Sequence, residues 1–167
     1  MRRSSPARAI SAPIDYLGVN NYFRNVVAAG PSVLDVPNAT RTAMGWEVYP
    51  EGLYKVLTRV AREYAPPSLY VTENGAAFGD VRGHDGSVRD VERTEFLASY
   101  IDAVERARRD GAPIDGYFVW SLLDNFEWAE GYSKRFGIVY VDFHTQERVP
   151  KDSFHWYKQR IGSLQPA

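Results

Sequence analysis

The protein has 167 residues, which suits one compact domain of ordinary size. Its formal net charge of -1 gives no electrostatic reason to expect nucleic acid or an anionic membrane surface as a partner. Cysteine is absent, and this excludes disulfides, thiolate catalysis and thiolate metal ligands. The aromatic fraction of 14% is high, and aromatic side chains either fill a core or line a site that stacks on apolar ligand faces.

The N-terminal segment, residues 1–13, is predicted to be a flexible lead-in. Its paired Arg2 and Arg3 are not followed by the apolar core of a signal peptide. No apolar run approaches the roughly 18 residues of a membrane helix. We therefore expect no membrane association and, by default, a cytoplasmic location.

The first predicted unit comprises a strand, a long loop and a helix. The strand covers residues 14–23, with Gly18 at a point of close packing, and the loop covers residues 24–49. Long loops in compact domains are usually functional or mobile. A helix is expected to begin at Pro50-Glu51, which suit a first turn, and to end at Tyr64 before Pro66-Pro67.

The second unit begins with a short apolar strand, residues 68–73, that ends in Glu73. The following Asn74-Gly75 stops the strand, because both residues tolerate positive φ. In barrel enzymes a carboxylate at the end of a parallel strand lies on the catalytic face. A glycine-containing loop leads to a helix over residues 91–110, which shows a clear apolar stripe and is closed by Gly111.

The third unit begins with a continuous apolar strand over residues 114–123, of the type found in covered parallel sheets. A further short strand is predicted at residues 136–143 and a final helix at residues 151–161. Strand, loop and helix thus alternate three times, which indicates an α/β fold class with long catalytic-face loops. A closed eight-stranded barrel needs about 250 residues. The pattern therefore fits either a small open α/β domain or part of a barrel.

Polar and aromatic residues follow the three main strands. The strand ends carry Asn20-Asn21-Tyr22, Thr72-Glu73-Asn74 and Trp120-Ser121, and the last is followed by Asp124-Asn125-Phe126-Glu127-Trp128. Carboxylates can accept hydrogen bonds from sugar hydroxyls, while the axial C–H face of a sugar packs on tryptophan. No phosphate loop, metal-binding His pair or Ser-His-Asp arrangement competes with this interpretation. The three histidines are scattered, and we interpret each as a surface or structural residue.

These motifs are specific in their order and spacing. Because of them, the chain from about residue 14 onward resembles the C-terminal part of a glycoside hydrolase family 1 β-glucosidase. The matching stretches are Asp15-Tyr16-Leu17-Gly18-Val19-Asn20-Asn21-Tyr22, Met44-Gly45-Trp46-Glu47-Val48-Tyr49-Pro50-Glu51-Gly52-Leu53, Tyr70-Val71-Thr72-Glu73-Asn74-Gly75, Trp120-Ser121-Leu122-Leu123-Asp124-Asn125-Phe126-Glu127-Trp128, Gly131-Tyr132 and Lys134-Arg135-Phe136-Gly137. The resemblance implies the C-terminal portion of a (β/α)8 TIM barrel, about three βα units, in residues 14–167.

The resemblance also implies a role for each of these residues. Glu73 matches the catalytic nucleophile, and Tyr22 matches the residue hydrogen-bonded to it. The residues implied to bind substrate are Asn20 near the reactive carbon, Trp120 under the glycone, Glu127 and Trp128 at its 4- and 6-hydroxyls, Trp46 on the aglycone side, and Phe136 as a further lining residue. The family commonly has Tyr where Asn21 stands. No metal or cofactor is implied.

For two loop residues and one carboxylate, a structural role is at least as well supported by the sequence as contact with the substrate. Lys134 and Arg135 are expected to tether a loop or lie at the surface, and Asp124 to hold its loop as readily as to touch sugar. Glu127 would repel a 6-phosphate, so a plain β-glucoside or oligosaccharide is the expected substrate.

The family's acid/base lies in an Asn-Glu-Pro motif, which does not occur in these 167 residues. Three interpretations stay open. The chain is a fragment of a retaining β-glycosidase, or one part of a split enzyme that needs an N-terminal partner chain, or a non-catalytic carbohydrate-binding or subunit-interaction half-barrel. Exposed strands would favour association with that partner or self-association.

Overall fold

The computed structural model describes residues 12–29 and 32–164. It contains three helices, seven strands and one 3-10 turn within these ranges. In chain order they are β1 Leu17–Asn20, β2 Val26–Val27, β3 Val33–Leu34, α1 Pro50–Tyr64, β4 Leu69–Asn74, α2 Val91–Arg109, β5 Ile114–Val119, the turn Trp128–Glu130, β6 Val139–Val141, β7 Arg148–Pro150 and α3 Asp152–Leu164.

The main sheet is parallel and has the order β1-β4-β5, with β4 in the centre. In its register, Leu17 lies beside Leu69 and Leu69 beside Ile114, so the strands start level. Both pairings shift register toward their C-terminal ends, where Asn20 comes to lie beside Glu73. Because the strands are parallel, all three carboxyl ends meet at one edge of the sheet.

One face of this sheet is covered by helices. Leu69 and Val71 of β4 point into a core shared with Leu53 and Leu57 of α1, and all four side chains are fully buried. Tyr100 of α2 completes this core, and its hydroxyl accepts a hydrogen bond from the backbone N–H of Tyr49 at 3.0 Å. Alternate residues of a strand face opposite sides, so burying one set leaves the other set on the opposite face.

That opposite face carries a line of three aromatic rings, which we call the aromatic stripe: Tyr16, Tyr70 and Phe118. Tyr70 lies 5.4 Å from Tyr16 and 6.4 Å from Phe118, measured between ring centroids. Tyr16 is 59% exposed and Phe118 is 56% exposed. The close packing requires glycine at Gly116, where a Cβ atom would lie 2.6 Å from the Tyr70 ring. The stripe is therefore an ordered apolar surface that faces away from the helices.

The predicted helices at residues 50–64 and 91–110 are confirmed, with α2 ending one residue early and Gly111 following it at φ +96°. The third helix extends to Leu164, beyond its predicted end. The strand predictions were too long. The segment 14–23 forms a strand only over Leu17–Asn20, and the segment 114–123 only over Ile114–Val119.

The early end of β5 has a physical cause. After Trp120 the backbone leaves β4 and pairs with the segment that precedes β6, because Ser121 donates to the Phe136 carbonyl and Ile138 donates to the Ser121 carbonyl at 2.9 Å. Because the backbone groups of Phe136 and Ile138 are used in these hydrogen bonds to Ser121, the strand predicted at residues 136–143 is reduced to Val139–Val141, which pairs with β7.

Two small hairpins were missed. The predicted loop 24–49 contains the antiparallel pair β2–β3, and the unpredicted strand β7 pairs with β6 in a second antiparallel hairpin. Residues 1–11 of the predicted lead-in lie outside the described ranges, while residues 12 and 13 have no regular structure. None of the helices described is both long and apolar enough to cross a membrane.

Candidate active site

Glu73 lies at the carboxyl end of the central strand, one residue before β4 ends. The hydroxyl of Tyr22 donates a hydrogen bond of 2.7 Å to Glu73 Oε2, from a position 51 residues earlier in the chain. The backbone supports this pair, since the Asn21 N–H donates to the Glu73 carbonyl at 2.9 Å. The carboxylate is therefore held by the segment that follows β1, at the edge where the three strand ends meet.

The environment of Tyr22 fixes its protonation state. Burial raises the pKa of Tyr22 far above its usual value, and the hydrogen bond and charge of Glu73 raise it further, with a smaller contribution from the charge of Glu127. The phenol therefore stays protonated and remains a hydrogen-bond donor to the carboxylate. The Glu127 side chain itself is half-buried.

Aromatic rings form a wall beside the Tyr22–Glu73 pair. The Trp46 ring centroid lies 5.6 Å from that of Tyr22 and 6.0 Å from that of Phe136. Phe136 is 2% exposed and meets the Tyr22 ring edge-on at 6.2 Å. The Phe23 ring stacks on the Trp46 ring with a centroid distance of 4.7 Å. An apolar wall next to a fixed carboxylate suits a ligand with hydroxyls on its rim and C–H groups on its faces.

Asn20 and Trp120 lie at the neighbouring strand ends. Asn20 is beside Glu73 in the sheet, and its side-chain oxygen accepts a 2.6 Å hydrogen bond from Thr72. The N–H of Trp120 donates to the Asn74 carbonyl at 2.9 Å, and the Trp120 side chain is half-buried. The peptide bond between Trp120 and Ser121 is cis. The structure therefore brings residues from all three strands to one edge.

Trp128 is the most exposed of the aromatic residues predicted in the site. Its side chain is 81% exposed at the start of the 3-10 turn. Glu127 precedes it, and the backbone N–H of Glu127 donates to the Gly131 carbonyl at 2.7 Å. The structure thus groups Glu73, Tyr22, Trp46 and Phe136 by direct contact, with Glu127 nearby, while Trp128 lies in solvent.

Asp124, Lys134 and Arg135 act as loop tethers. The Asp124 carboxylate is completely buried and accepts hydrogen bonds from Arg135 at 2.6 Å, from Lys151 at 2.9 Å and from the Gly137 N–H at 3.0 Å. Lys134 donates to the Ala43 carbonyl at 2.8 Å. Asp124 therefore holds its loop, which settles the choice that the sequence left open.

Sequence reasoning missed two features behind the site. The first is Asn74, whose buried amide donates to the Asn21 carbonyl and accepts from the Tyr117 hydroxyl, each at 2.6 Å, and so joins the segments around β1 and β5 to β4. The second is a group of six charged residues, which we call the buried ion cluster: Asp80, Asp90, Arg93, Asp124, Arg135 and Lys151. One signal was available, because Arg93 falls on the apolar stripe of α2 together with Leu97 and Tyr100.

The described part of the chain contains no group of three or more acidic or imidazole side chains placed to hold a metal ion. The chemistry that the arrangement offers is that of a fixed carboxylate, a neutral phenol donor and aromatic walls at the catalytic face of a parallel α/β sheet. A combination of this kind is typical of carbohydrate-active α/β-barrel proteins.

The comparisons with known proteins agree with that class. The model of glycosyl hydrolase family 1 matches residues 3–164, and the chain belongs to this family. It is 52% identical over 160 residues to beta-glucosidase A of Thermotoga maritima, covering 91% of this chain and 35% of that protein. It is 54% identical over 157 residues to the 1,4-beta-D-glucan glucohydrolase of Thermotoga neapolitana, again covering 91% and 35%.

Among solved structures, the chain is similar to the beta-glucosidase from Thermotoga maritima in complex with glucoimidazole, with a TM-score of 0.87 and 52% identity. That match covers 89% of this chain and 34% of the solved one. The chain therefore spans about a third of the length of the relatives it matches. Its fold is part of a TIM barrel, which decides between the two architectures that the sequence allowed.

Proposed function

We propose that this chain supplies the nucleophile side of a retaining β-glucosidase, with Glu73 as the nucleophile and Tyr22 as its hydrogen-bond donor. The observation that carries the proposal is the 2.7 Å hydrogen bond between Tyr22 and Glu73 at the end of a central barrel strand, beside the wall formed by Trp46 and Phe136. A donor that stays protonated favours the ionised, attacking form of a carboxylate.

In the proposed reaction, a Glu73 oxygen attacks the anomeric carbon and forms a glycosyl ester while the glycosidic C–O bond breaks. The departing oxygen takes a proton from an acid, and water, deprotonated by the conjugate base of that acid, then releases the sugar and frees Glu73. Retaining enzymes place the two carboxyl groups about 5–5.5 Å apart. Because these 167 residues contain no Asn-Glu-Pro, we propose that the acid/base comes from outside them, on the same polypeptide or on a partner chain.

The proposed substrate is a terminal β-D-glucosyl residue, which would bind to the surface beside Glu73. Glu127 would accept hydrogen bonds from the 4- and 6-hydroxyls, with Trp120 under the ring. Two named relatives, beta-glucosidase A and 1,4-beta-D-glucan glucohydrolase, support glucosides as substrates. The remaining predicted contacts are Asn20 near the reactive carbon, Trp128 at the hydroxyl rim and Trp46 on the aromatic wall. Phe136, predicted as a lining residue, is buried and would support Trp46 and Tyr22 from behind.

The experiment is a chimera in which this chain replaces the matched third of Thermotoga maritima beta-glucosidase A. An activated 2-deoxy-2-fluoroglucoside, which forms the glycosyl ester quickly and loses it slowly, should label the chimera. The adduct should be found on Glu73 within the tryptic peptide of residues 63–82, and fragmentation distinguishes Glu73 from Glu63 in that peptide.

Glu73→Gln should reduce β-glucoside turnover by at least about 10⁴-fold without changing the chimera's thermal midpoint, because an amide cannot act as the nucleophile. Glu63→Gln is the matched control and should keep full activity, since Glu63 is an exposed residue of α1. An active Glu73→Gln chimera, or an adduct on another residue, would refute the assignment. A folded chimera that binds glucosides without turnover would favour the non-catalytic carbohydrate-binding alternative.

A further inference from the structure

We propose that Lys151 is a positioning residue for the active site. Its ammonium group holds the segment of residues 124–136, which carries Glu127 and Phe136, in place relative to Glu73. The inference rests on the proposed function for its catalytic consequence, but its structural consequence is measurable in the isolated chain.

The contacts of Lys151 join two loops that are distant in sequence. Its Nζ atom lies 2.9 Å from Asp124 Oδ1 in the segment after β5 and 2.5 Å from Asp80 Oδ2 in the loop between β4 and α2. The three side chains are at most 2% exposed. Lys151 itself precedes α3, and its N–H donates to the Ile138 carbonyl at 3.0 Å. One ammonium therefore links α3, the β4–α2 loop and the site segment.

The site segment is braced internally and can therefore move as a unit. Asp124 at its start binds Arg135 at 2.6 Å and the Gly137 N–H at 3.0 Å, so both ends of the segment meet at one carboxylate. Phe136 lies between these two partners and contacts Tyr22 and Trp46. Glu127 lies three residues after Asp124. A displacement of Asp124 would move Phe136 and Glu127 together.

A second anchor comes from α2. Arg93 binds Asp80 at 2.7 Å and Asp90 at 2.5 Å, and its Nη2 also donates to the Arg135 carbonyl at 2.7 Å. Asp90 in turn accepts from the backbone N–H of Ser153 at 2.8 Å. The buried ion cluster thus contains three positive and three negative side chains: Arg93, Arg135 and Lys151 against Asp80, Asp90 and Asp124.

The energetics favour a positioning role over a stabilising one. Removing two charges from water offsets most of their attraction, so a buried ion pair adds little net stability compared with apolar packing. What such a group does supply is a fixed geometry, because each charge needs its partners at hydrogen-bond distance. Here the fixed geometry includes the residues on either side of Phe136.

The structural test uses the full 167-residue chain labelled with 5-fluorotryptophan, whose four tryptophans give four ¹⁹F resonances. The variant is Lys151→Met combined with Asp80→Asn, which leaves two positive and two negative groups in the cluster. We expect the Trp46 resonance to shift in the folded state, because the Trp46 ring packs on Phe136. Lys151→Met alone should shift the same resonance and lower the thermal midpoint further than the double variant.

Two controls separate positioning from general destabilisation. Asp80→Asn alone keeps the Lys151–Asp124 contact and should leave the Trp46 resonance in place. Lys158→Met removes an exposed lysine from the same helix and should also leave it in place. An unchanged Trp46 resonance in the double variant, or a change confined to Trp156 of α3, would overturn the proposal.

The catalytic test uses the chimera described above. The double variant should lower kcat/KM about tenfold or more relative to Lys158→Met, with most of the loss in KM, since misplacement of binding groups by about 1 Å is costly. Normal kinetics together with a shifted Trp46 resonance would overturn the catalytic consequence. An active Glu73→Gln chimera would instead refute the proposed function. The ¹⁹F measurement would then still test whether Lys151 holds the segment of residues 124–136 in place.

Discussion

Single side chains around the site are held by partners from distant parts of the chain. Tyr22 reaches Glu73 across 51 residues, and Arg24 reaches Glu47 across 23 residues with two hydrogen bonds of 2.8 and 3.0 Å. The Arg24 guanidinium also lies 3.5 Å above the centroid of the Tyr49 ring. Arg24 follows Phe23 and Glu47 follows Trp46 in the chain, so this ion pair ties together the two segments that carry the stacked rings of Phe23 and Trp46.

The Arg24–Glu47 pair gives a pH-dependent prediction. The hydrogen bond from Arg24 lowers the pKa of Glu47, outweighing the effect of burial. A carboxyl with a lowered folded-state pKa stabilises the protein above its unfolded value of about 4.3, and this contribution is lost as the pH falls through the folded value. We therefore expect the thermal midpoint of Glu47→Gln to lie below that of the unmodified chain at pH 7, with the gap closing below about pH 4.

The control for this measurement is Glu95→Gln, on an exposed position of α2. Its thermal midpoint should follow that of the unmodified chain through the same pH range. A gap for Glu47→Gln that stayed constant from pH 7 to pH 3 would show that the carboxylate charge is not what stabilises this loop.

At the scale of elements, β4 is the strand on which the site depends, because it is central in the sheet and delivers Glu73. Its end is packed against the end of β5 so tightly that only glycine fits at residue 75. A Cβ atom on Gly75 would lie 1.7 Å from the Trp120 carbonyl oxygen. The close approach accompanies the hydrogen bond from the Trp120 N–H to the Asn74 carbonyl, so the segments that carry Glu73 and Trp120 are in contact at this point.

Gly75→Ala should therefore separate the two strand ends and lower the free energy of unfolding by about 1–3 kcal/mol or more. Gly79→Ala is the matched control in the same loop, since a Cβ atom there would meet nothing within 4 Å. Urea unfolding of both variants provides the measurement. Equal stability of the two variants would show that the contact between Gly75 and Trp120 relaxes without cost.

At the scale of the whole molecule, the chain buries one face of its sheet and exposes the aromatic stripe on the other. The chain spans about a third of its relatives, so most of the barrel fold of the family lies outside these residues. Contiguous exposed apolar surface of this kind marks an interaction site. We expect the remaining strands of the barrel, on the same polypeptide or on a partner chain, to cover the stripe.

The expectation can be measured with the portion of Thermotoga maritima beta-glucosidase A that this chain does not match, supplied as a separate polypeptide. Phe118→Asp should weaken its association with this chain at least about tenfold, since a charge placed in a buried apolar contact has no partner. Tyr64→Asp, on an exposed residue of α1, should leave the association unchanged. Equal effects of the two substitutions in a sedimentation or calorimetric titration would rule out the stripe as the contact.

The sequence by itself determined the presence of the helices, the α/β class and the family, because each of these follows from the pattern of residues that are close together in the chain. The boundaries of α1 follow from Pro50 at its start and Pro66-Pro67 after its end, and α2 follows from an apolar stripe of helical period. The motifs around Glu73 and Trp120 are contiguous in the chain and so could be recognised without knowing any contact.

Only the tertiary structure decided the strand ends, the role of Asp124 and the buried ion cluster. The chain leaves β5 at Trp120 because hydrogen bonds to Phe136 and Ile138 replace the sheet, and those partners are more than ten residues away in sequence. Asp124 and Lys151 carry ordinary surface-type side chains whose burial depends on four separate segments meeting behind the site. Local sequence patterns cannot predict that these segments come together, because the free energy that holds them together arises from contacts that exist only after the chain has folded.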